Sequence, residues 1–114
     1  KALYVQRYGY AGDFKDGAAC VRLDNGLWQH IDPVGKPLHP FRYLDLGVFH
    51  KSFATARDER GWLHIDRNGK PTYEARFRMV EPFYNGQALV ESLDGRRLLV
   101  DEQGELLLEL APHG

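Results

Sequence analysis

A block of about 35 residues is written three times in this chain, as Lys1 to Gly35, Lys36 to Gly69 and Lys70 to Gly104. Glu105 onward reads as the opening of a fourth copy. The first copy carries Leu3, Arg7, Tyr8, Phe14, Gly17, Ala19, Val21, Gly26, Trp28, His30, Ile31, Asp32 and Gly35. The second answers with Leu38, Arg42, Tyr43, Phe49, Ser52, Ala54, Ala56, Gly61, Trp62, His64, Ile65, Asp66 and Gly69. The third keeps Arg76, Phe77, Phe83, Gly86, Ala88, Val90, Gly95, Val100, Asp101 and Gly104. Such a period describes one supersecondary unit that buries its apolar side against the next copy of itself, so 1–114 is expected to form one repeat domain.

A period near 35 also suits helical repeats, and the pattern inside the block decides against them. Apolar residues alternate as Ala19, Val21, Leu23, then Ala54, Ala56, then Ala88, Val90, in runs of about six residues, which is strand periodicity. Asp16-Gly17, Asn25-Gly26, Asn68-Gly69, Asn85-Gly86 and Asp94-Gly95 punctuate these runs, and such pairs supply the positive φ that tight turns need. The expected fold is therefore all-β, with three tandem units of about three antiparallel strands each, in an open twisted array or a closed toroid. The first strand of each unit is expected to carry the Arg-aromatic pair (Arg7-Tyr8, Arg42-Tyr43, Arg76-Phe77). The second carries the small apolar alternation, and the third runs from Trp28 to Asp32 or its equivalent.

Asp32, Asp66 and Asp101 each stand three residues before a glycine, where the carboxylate can accept from turn amides while glycine takes the left-handed position. Pro37 and Pro71 follow two residues after those glycines, where an entering strand tolerates a missing N–H. Ser52 replaces Gly17 and Gly86 and is read as a turn residue. Leu106, Leu107, Leu108 and Leu110 are too apolar for a free tail, and that strand is expected to pair.

Glycine, then Trp, then Ile-Asp, then a closing glycine, preceded by Phe-x-x-Gly-x-Ala, resembles the WG-repeat family of bacterial proteins. The resemblance runs over Gly26 to Gly35, Gly61 to Gly69 and Gly95 to Gly104. Gln29 and Leu63 follow the tryptophans where that family often has glycine, and His30 and His64 stand where it usually has an aromatic. What the resemblance implies is a β-hairpin repeat, often in long arrays or beside other domains, with no shared enzymatic activity.

Several function classes are disfavoured by composition. With 15 basic and 16 acidic residues, nothing draws the chain to nucleic acid or an anionic membrane. No apolar run reaches the ~20 residues that span a bilayer, no signal-like segment is present, and the cytoplasm is the expected compartment. The single Cys20 excludes an internal disulfide framework, and its alignment with Thr55 and Leu89 marks a packing position. The register of Lys1 with Lys36 and Lys70 suggests a piece of a longer repeat array.

His30 with Asp32, and His64 with Asp66, share a strand face and could cooperate in proton transfer or metal binding. The third copy has Arg97 and Leu99 where the others have Trp and His, which favours a recurring structural role. No catalytic residue, metal ligand or cofactor is therefore assigned. Trp28, His30, Trp62, His64, Tyr84 and Asn85 are the candidate interaction residues, with the tryptophans expected at seams between copies and Tyr84-Asn85 at a hairpin tip. The expected function is a non-catalytic module that binds another protein or an adjacent domain of the same polypeptide, with self-association through edge strands open to it. Carbohydrate or cell-wall ligand binding through the aromatics is the alternative, and a His/Asp-based enzyme is the third reading.

Overall fold

The computed structural model describes residues 10–11, 17–50 and 52–110. Ten strands and no helix occur among them: β1 Tyr10–Ala11, β2 Ala19–Arg22, β3 Trp28–Ile31, β4 Asp45–Leu46, β5 Ala54–Asp58, β6 Gly61–Ile65, β7 Met79–Val80, β8 Gln87–Glu91, β9 Arg97–Asp101 and β10 Leu106–Glu109. They form three antiparallel sheets, one per copy: β1-β2-β3, β4-β5-β6 and β10-β9-β8-β7. The chain extends 52 × 26 × 24 Å.

Within each copy the two longer strands pair in the same register. Ala19 faces Ile31, Ala54 faces Ile65, and Ala88 faces Val100. The period-two alternation places Ala19, Val21, Ala54, Ala56, Ala88 and Val90 in the interior. The single-residue slip of the repeat lies in the turn between these strands. Copy one spans Leu23 to Leu27 between the paired Arg22 and Trp28, whereas in copy two Asp58 pairs directly with Gly61. That tighter turn brings Gly61 (φ 138°) so close to the next segment that a Cβ there would lie 2.8 Å from the Phe77 carbonyl oxygen.

The Asp-to-Gly turns take one form in all three copies. Asp32 accepts from the N–H groups of Val34 and Lys36 at 3.0 and 2.9 Å, Asp66 from Asn68 and Lys70, and Asp101 from Gln103 and Glu105. Gly35, Gly69 and Gly104 close them with φ between 77° and 91°.

One expectation needs correcting. The Arg-aromatic pairs are not on the first strand of their own unit: Tyr43 bridges back to Trp28 and Phe77 to Trp62, each on the third strand of the preceding copy. The first strands, β4 and β7, begin two residues further on, at Asp45 and Met79. The aromatic residue is a link between copies because its N–H and C=O both bond across, at 2.7 to 3.0 Å. Arg7, Tyr8 and Phe14 lie outside the described residues.

Copies two and three each own a small core that borrows from a neighbour. Tyr43, Phe49, Ala54, Ala56, Leu63 and Ile65 pack with Ala18 of the first copy. Phe77, Val80, Phe83, Ala88, Val90, Leu98 and Val100 pack with Phe53 and Trp62 of the second. Tyr73 touches both clusters. Cores of this size hold only when stacked, which is the thermodynamic logic of repeat proteins.

Candidate functional site

The two histidines of the third strands are wholly buried, and each is bonded to the copy that follows. His30 Nε2 lies 2.8 Å from the Gly47 carbonyl oxygen, and His64 Nε2 lies 2.8 Å from that of Glu81. A ring nitrogen facing a carbonyl must carry the proton, so Nδ1 of each neutral imidazole is an acceptor. At the second seam it accepts from the Tyr73 hydroxyl at 2.6 Å. At the first seam it accepts from His39 Nε2–H at 3.1 Å, which leaves the buried Nδ1 of His39 without a hydrogen-bond partner. Below the rings lie repeated phenylalanines, Phe49 at 4.2 Å from His30 and Phe83 at 3.9 Å from His64, centroid to centroid. Burial pushes the pKa of both His30 and His64 down to about 4, so both are neutral at pH 7.

Closing glycines complete this arrangement. Gly69 lies against the His39 ring and Gly104 against the Tyr73 ring, where a Cβ at Gly104 would come within 2.8 Å of Tyr73 Cγ. The partner at nine residues beyond the histidine is thereby clamped between two copies. In copy three the same positions hold Leu99 and Leu108, and these two residues are paired across β9 and β10. A hydrogen-bonded contact has been exchanged for an apolar one on both sides at once.

The structure places the candidate residues in three groups. His30 and His64 are the staples just described, and they meet His39 and Tyr73 rather than each other or Asp32 and Asp66, whose carboxylates cap turns. Trp62 is half-buried against the third core, and Trp28 is half-buried and backbone-paired to Tyr43, so both lie where adjoining copies meet. Tyr84 and Asn85 form a hairpin tip: Tyr84 and Gln87 exchange both backbone bonds across Asn85 (φ 53°) and Gly86 (φ 78°). The Tyr84 side chain is 74% exposed. Ser52 takes φ 80° at the matching tip of copy two, as its alignment with glycine indicates.

An ion pair adds to the second seam. Arg76 Nε donates to Asp58 at 2.9 Å, and its Nη1 donates to the carbonyls of Tyr73, Glu74 and Ala75. Burial alone would raise the Asp58 pKa, but the Arg60 N–H and the Arg76 guanidinium outweigh it and hold the carboxyl below its ordinary range. The Cys20 thiol is pushed up to about 11 by burial, which suppresses its thiolate at neutral pH. Among the described residues, no group of three or more His, Cys, Asp or Glu is arranged to hold a metal ion, and no helix is long and apolar enough to cross a membrane.

Sequence reasoning missed His39, His50 and Phe53. His39 had a usable signal, its alignment with Tyr73 at a fixed distance after each histidine. His50 and Phe53 had none, because the repeat does not preserve them.

The strands, seams and turns define an all-β protein built of tandem hairpin repeats. The profile of the WG containing repeat matches residues 6–28 and 65–95, in line with the resemblance carried by the repeated blocks. No curated protein matches the chain by sequence. Among solved structures it is similar to the computationally designed Ika4 protein, with a TM-score of 0.60 and 14% identity, over 88% of this chain and 70% of that one. It is equally similar to BamB from Moraxella catarrhalis, at 0.60 and 14%, over 93% of this chain and 35% of that one. The WD40 β-propeller domain of Doa1 follows at 0.52 and 16%, over 88% of this chain and 38% of that one. At these identities the likeness is one of fold, and the chain spans little more than a third of the two natural proteins.

Proposed function

We propose that this chain is a non-catalytic repeat module that docks a second β-repeat surface along β10. The observation that carries this reading is the contrast between β10 and its counterparts in the earlier copies. Leu106 pairs with Val100 as Pro37 pairs with Ile31 and Pro71 with Ile65. In those two positions proline removes the N–H and blunts the edge, whereas Leu106 restores it and a four-residue strand forms, with a bulge between Leu106 and Leu108.

Exposure follows the same contrast. His39 is buried between His30 and Gly69, but its counterpart Leu108 is 53% exposed, beside Leu106 and Leu107. Among the described residues no strand pairs with the outer edge of β10, and its three adjoining leucines favour addition of another strand, with backbone bonds giving affinity and side chains giving register. The occupant has the chemistry of the interior seams, a hairpin presenting an apolar ring, and a second copy of this chain is the nearest instance. The balanced charge of 15 basic and 16 acidic residues sets no long-range barrier to such a pairing.

Sedimentation of the chain from about 10 to about 500 µM, with and without Leu107→Glu and Leu108→Glu, tests this. Association of the parent chain with protection of β10 amides, abolished in the double variant, is the expected result. A parent chain that stays monomeric with fast-exchanging β10 amides would overturn it.

A further inference from the structure

The second seam contains a cavity that the histidine staple does not fill. It lies between two neighbouring hairpin tips, His50 to Phe53 and Tyr84 to Gln87, and its volume is about 390 Å³. Phe53 and Phe83 meet edge to face at 5.0 Å, and Pro82 and Val48 extend the apolar wall. His50 and Tyr84, with ring centroids 5.8 Å apart, stand beside them. Among the described residues, no Lys, Arg, Asp or Glu lines the space.

The first seam is built differently at the equivalent place. There the Arg67 guanidinium lies 4.7 Å over the Phe49 ring. One copy on, the residue corresponding to Arg67 is Glu102, and a carboxylate has no attraction for the face of Phe83. Phe53 and Thr55 also replace the smaller Ala18 and the apolar Cys20. Thr55 bears on this directly. A Cβ on Gly47 would fall 2.5 Å from its Oγ1, so glycine at that position leaves room for the hydroxyl. Among the described residues that hydroxyl has no side-chain hydrogen bond. The cavity thus combines aromatic walls with a small set of polar atoms, in the size range of small-molecule sites.

We propose that this cavity binds a planar aromatic molecule of one or two fused rings that carries a hydrogen-bonding group. The rings supply offset or edge-to-face contacts to Phe53, Phe83 and Tyr84, and the polar group exchanges a hydrogen bond with Thr55 or His50. The site is separate from β10 and stands independently of docking there.

Titration with indole, followed by amide and aromatic resonances, tests the proposal. Saturable shifts at His50, Phe53, Thr55 and Tyr84 with half-saturation below about 1 mM are expected. Thr55→Leu, which imports the Leu89 side chain of copy three, should weaken indole binding at least about fivefold by filling the space. Tyr84→Ala, at an exposed position, should weaken it while leaving the thermal midpoint unchanged, and it serves as the test variant if Thr55→Leu fails to fold. Absence of saturable shifts, or undiminished binding by the folded variants, would overturn the proposal.

Discussion

The His64–Tyr73 contact and the Leu99–Leu108 contact occupy the same place in successive copies and obey opposite rules. In the first, two polar groups are buried and each needs the other, plus the Glu81 carbonyl and the Phe83 ring from the next copy. In the second, two leucines pair across β9 and β10 and require no acceptor from anything beyond them. A buried polar pair is tolerated only when complete, whereas an apolar pair gains from any cover. The histidine seams therefore specify one neighbour in one register, whereas the leucine pair asks for no particular acceptor.

Acid should separate the two kinds of contact most strongly. His30 and His64 titrate near 4 when folded, against 6.5 when free, so the unfolded chain takes up protons first as pH falls. Their contribution is complete above about pH 6.5 and is lost progressively toward pH 4, at about 3 kcal/mol per histidine. Urea midpoints measured across that range should fall with pH, and a flat profile would mean the histidines are not buried neutral. Around His30, burial is the largest cause, and the nearby His39 and Arg67 act in the same direction against the Gly47 carbonyl.

Next in size is His64→Leu, which leaves the Tyr73 hydroxyl and the Glu81 carbonyl without their partner. A loss of about 3 kcal/mol is expected by denaturant unfolding. Adding Tyr73→Leu, which copies the third seam, should cost less than the sum of the single changes by about 1 kcal/mol. Strict additivity would break the claim that the pair acts as a unit.

His39→Tyr asks whether the first seam can be made like the second. A tyrosine hydroxyl would donate to His30 Nδ1 and remove the unpartnered Nδ1 of His39, with Gly69 against the ring as Gly104 is against Tyr73. A gain of about 1 kcal/mol is expected, read as a higher urea midpoint. Smallest is Ser52→Gly at the hairpin tip of copy two, where φ 80° suits glycine better than serine. It should stabilise by about 0.5 kcal/mol in thermal unfolding, and a loss would mean that the Ser52 side chain has a role in the turn.

Much of this fold was legible because its determinants are local. The alternation at Ala54 and Ala56, the glycine turns and the aspartate caps each depend on residues within five positions, and they fold as read. The pairing of Leu106 to Glu109 was legible from apolarity alone. The Arg-aromatic pairs were misplaced because Tyr43 bonds to Trp28 through backbone atoms, and a bridge to the preceding copy leaves no side-chain pattern. At the candidate site, the repeat marked His30 and His64 but not what they hold. Spacings of nine and seventeen residues cross two turns, and their path is set by packing. The cavity between the hairpin tips is less legible still, since it arises from residues in which the copies differ.

Every bond made by the histidine staples points one way along the chain. His30 takes Gly47 and Phe49, His64 takes Glu81 and Phe83, and neither ring reaches back to an earlier copy. During synthesis from the N-terminus, copy one therefore holds an unfinished histidine until residue 49 has cleared the exit tunnel, and copy two waits in turn for residue 83. Released chains that end at residue 46 and at residue 50 should differ in protease resistance. Completion passes down the polypeptide as a relay, each unit locked by the arrival of its successor.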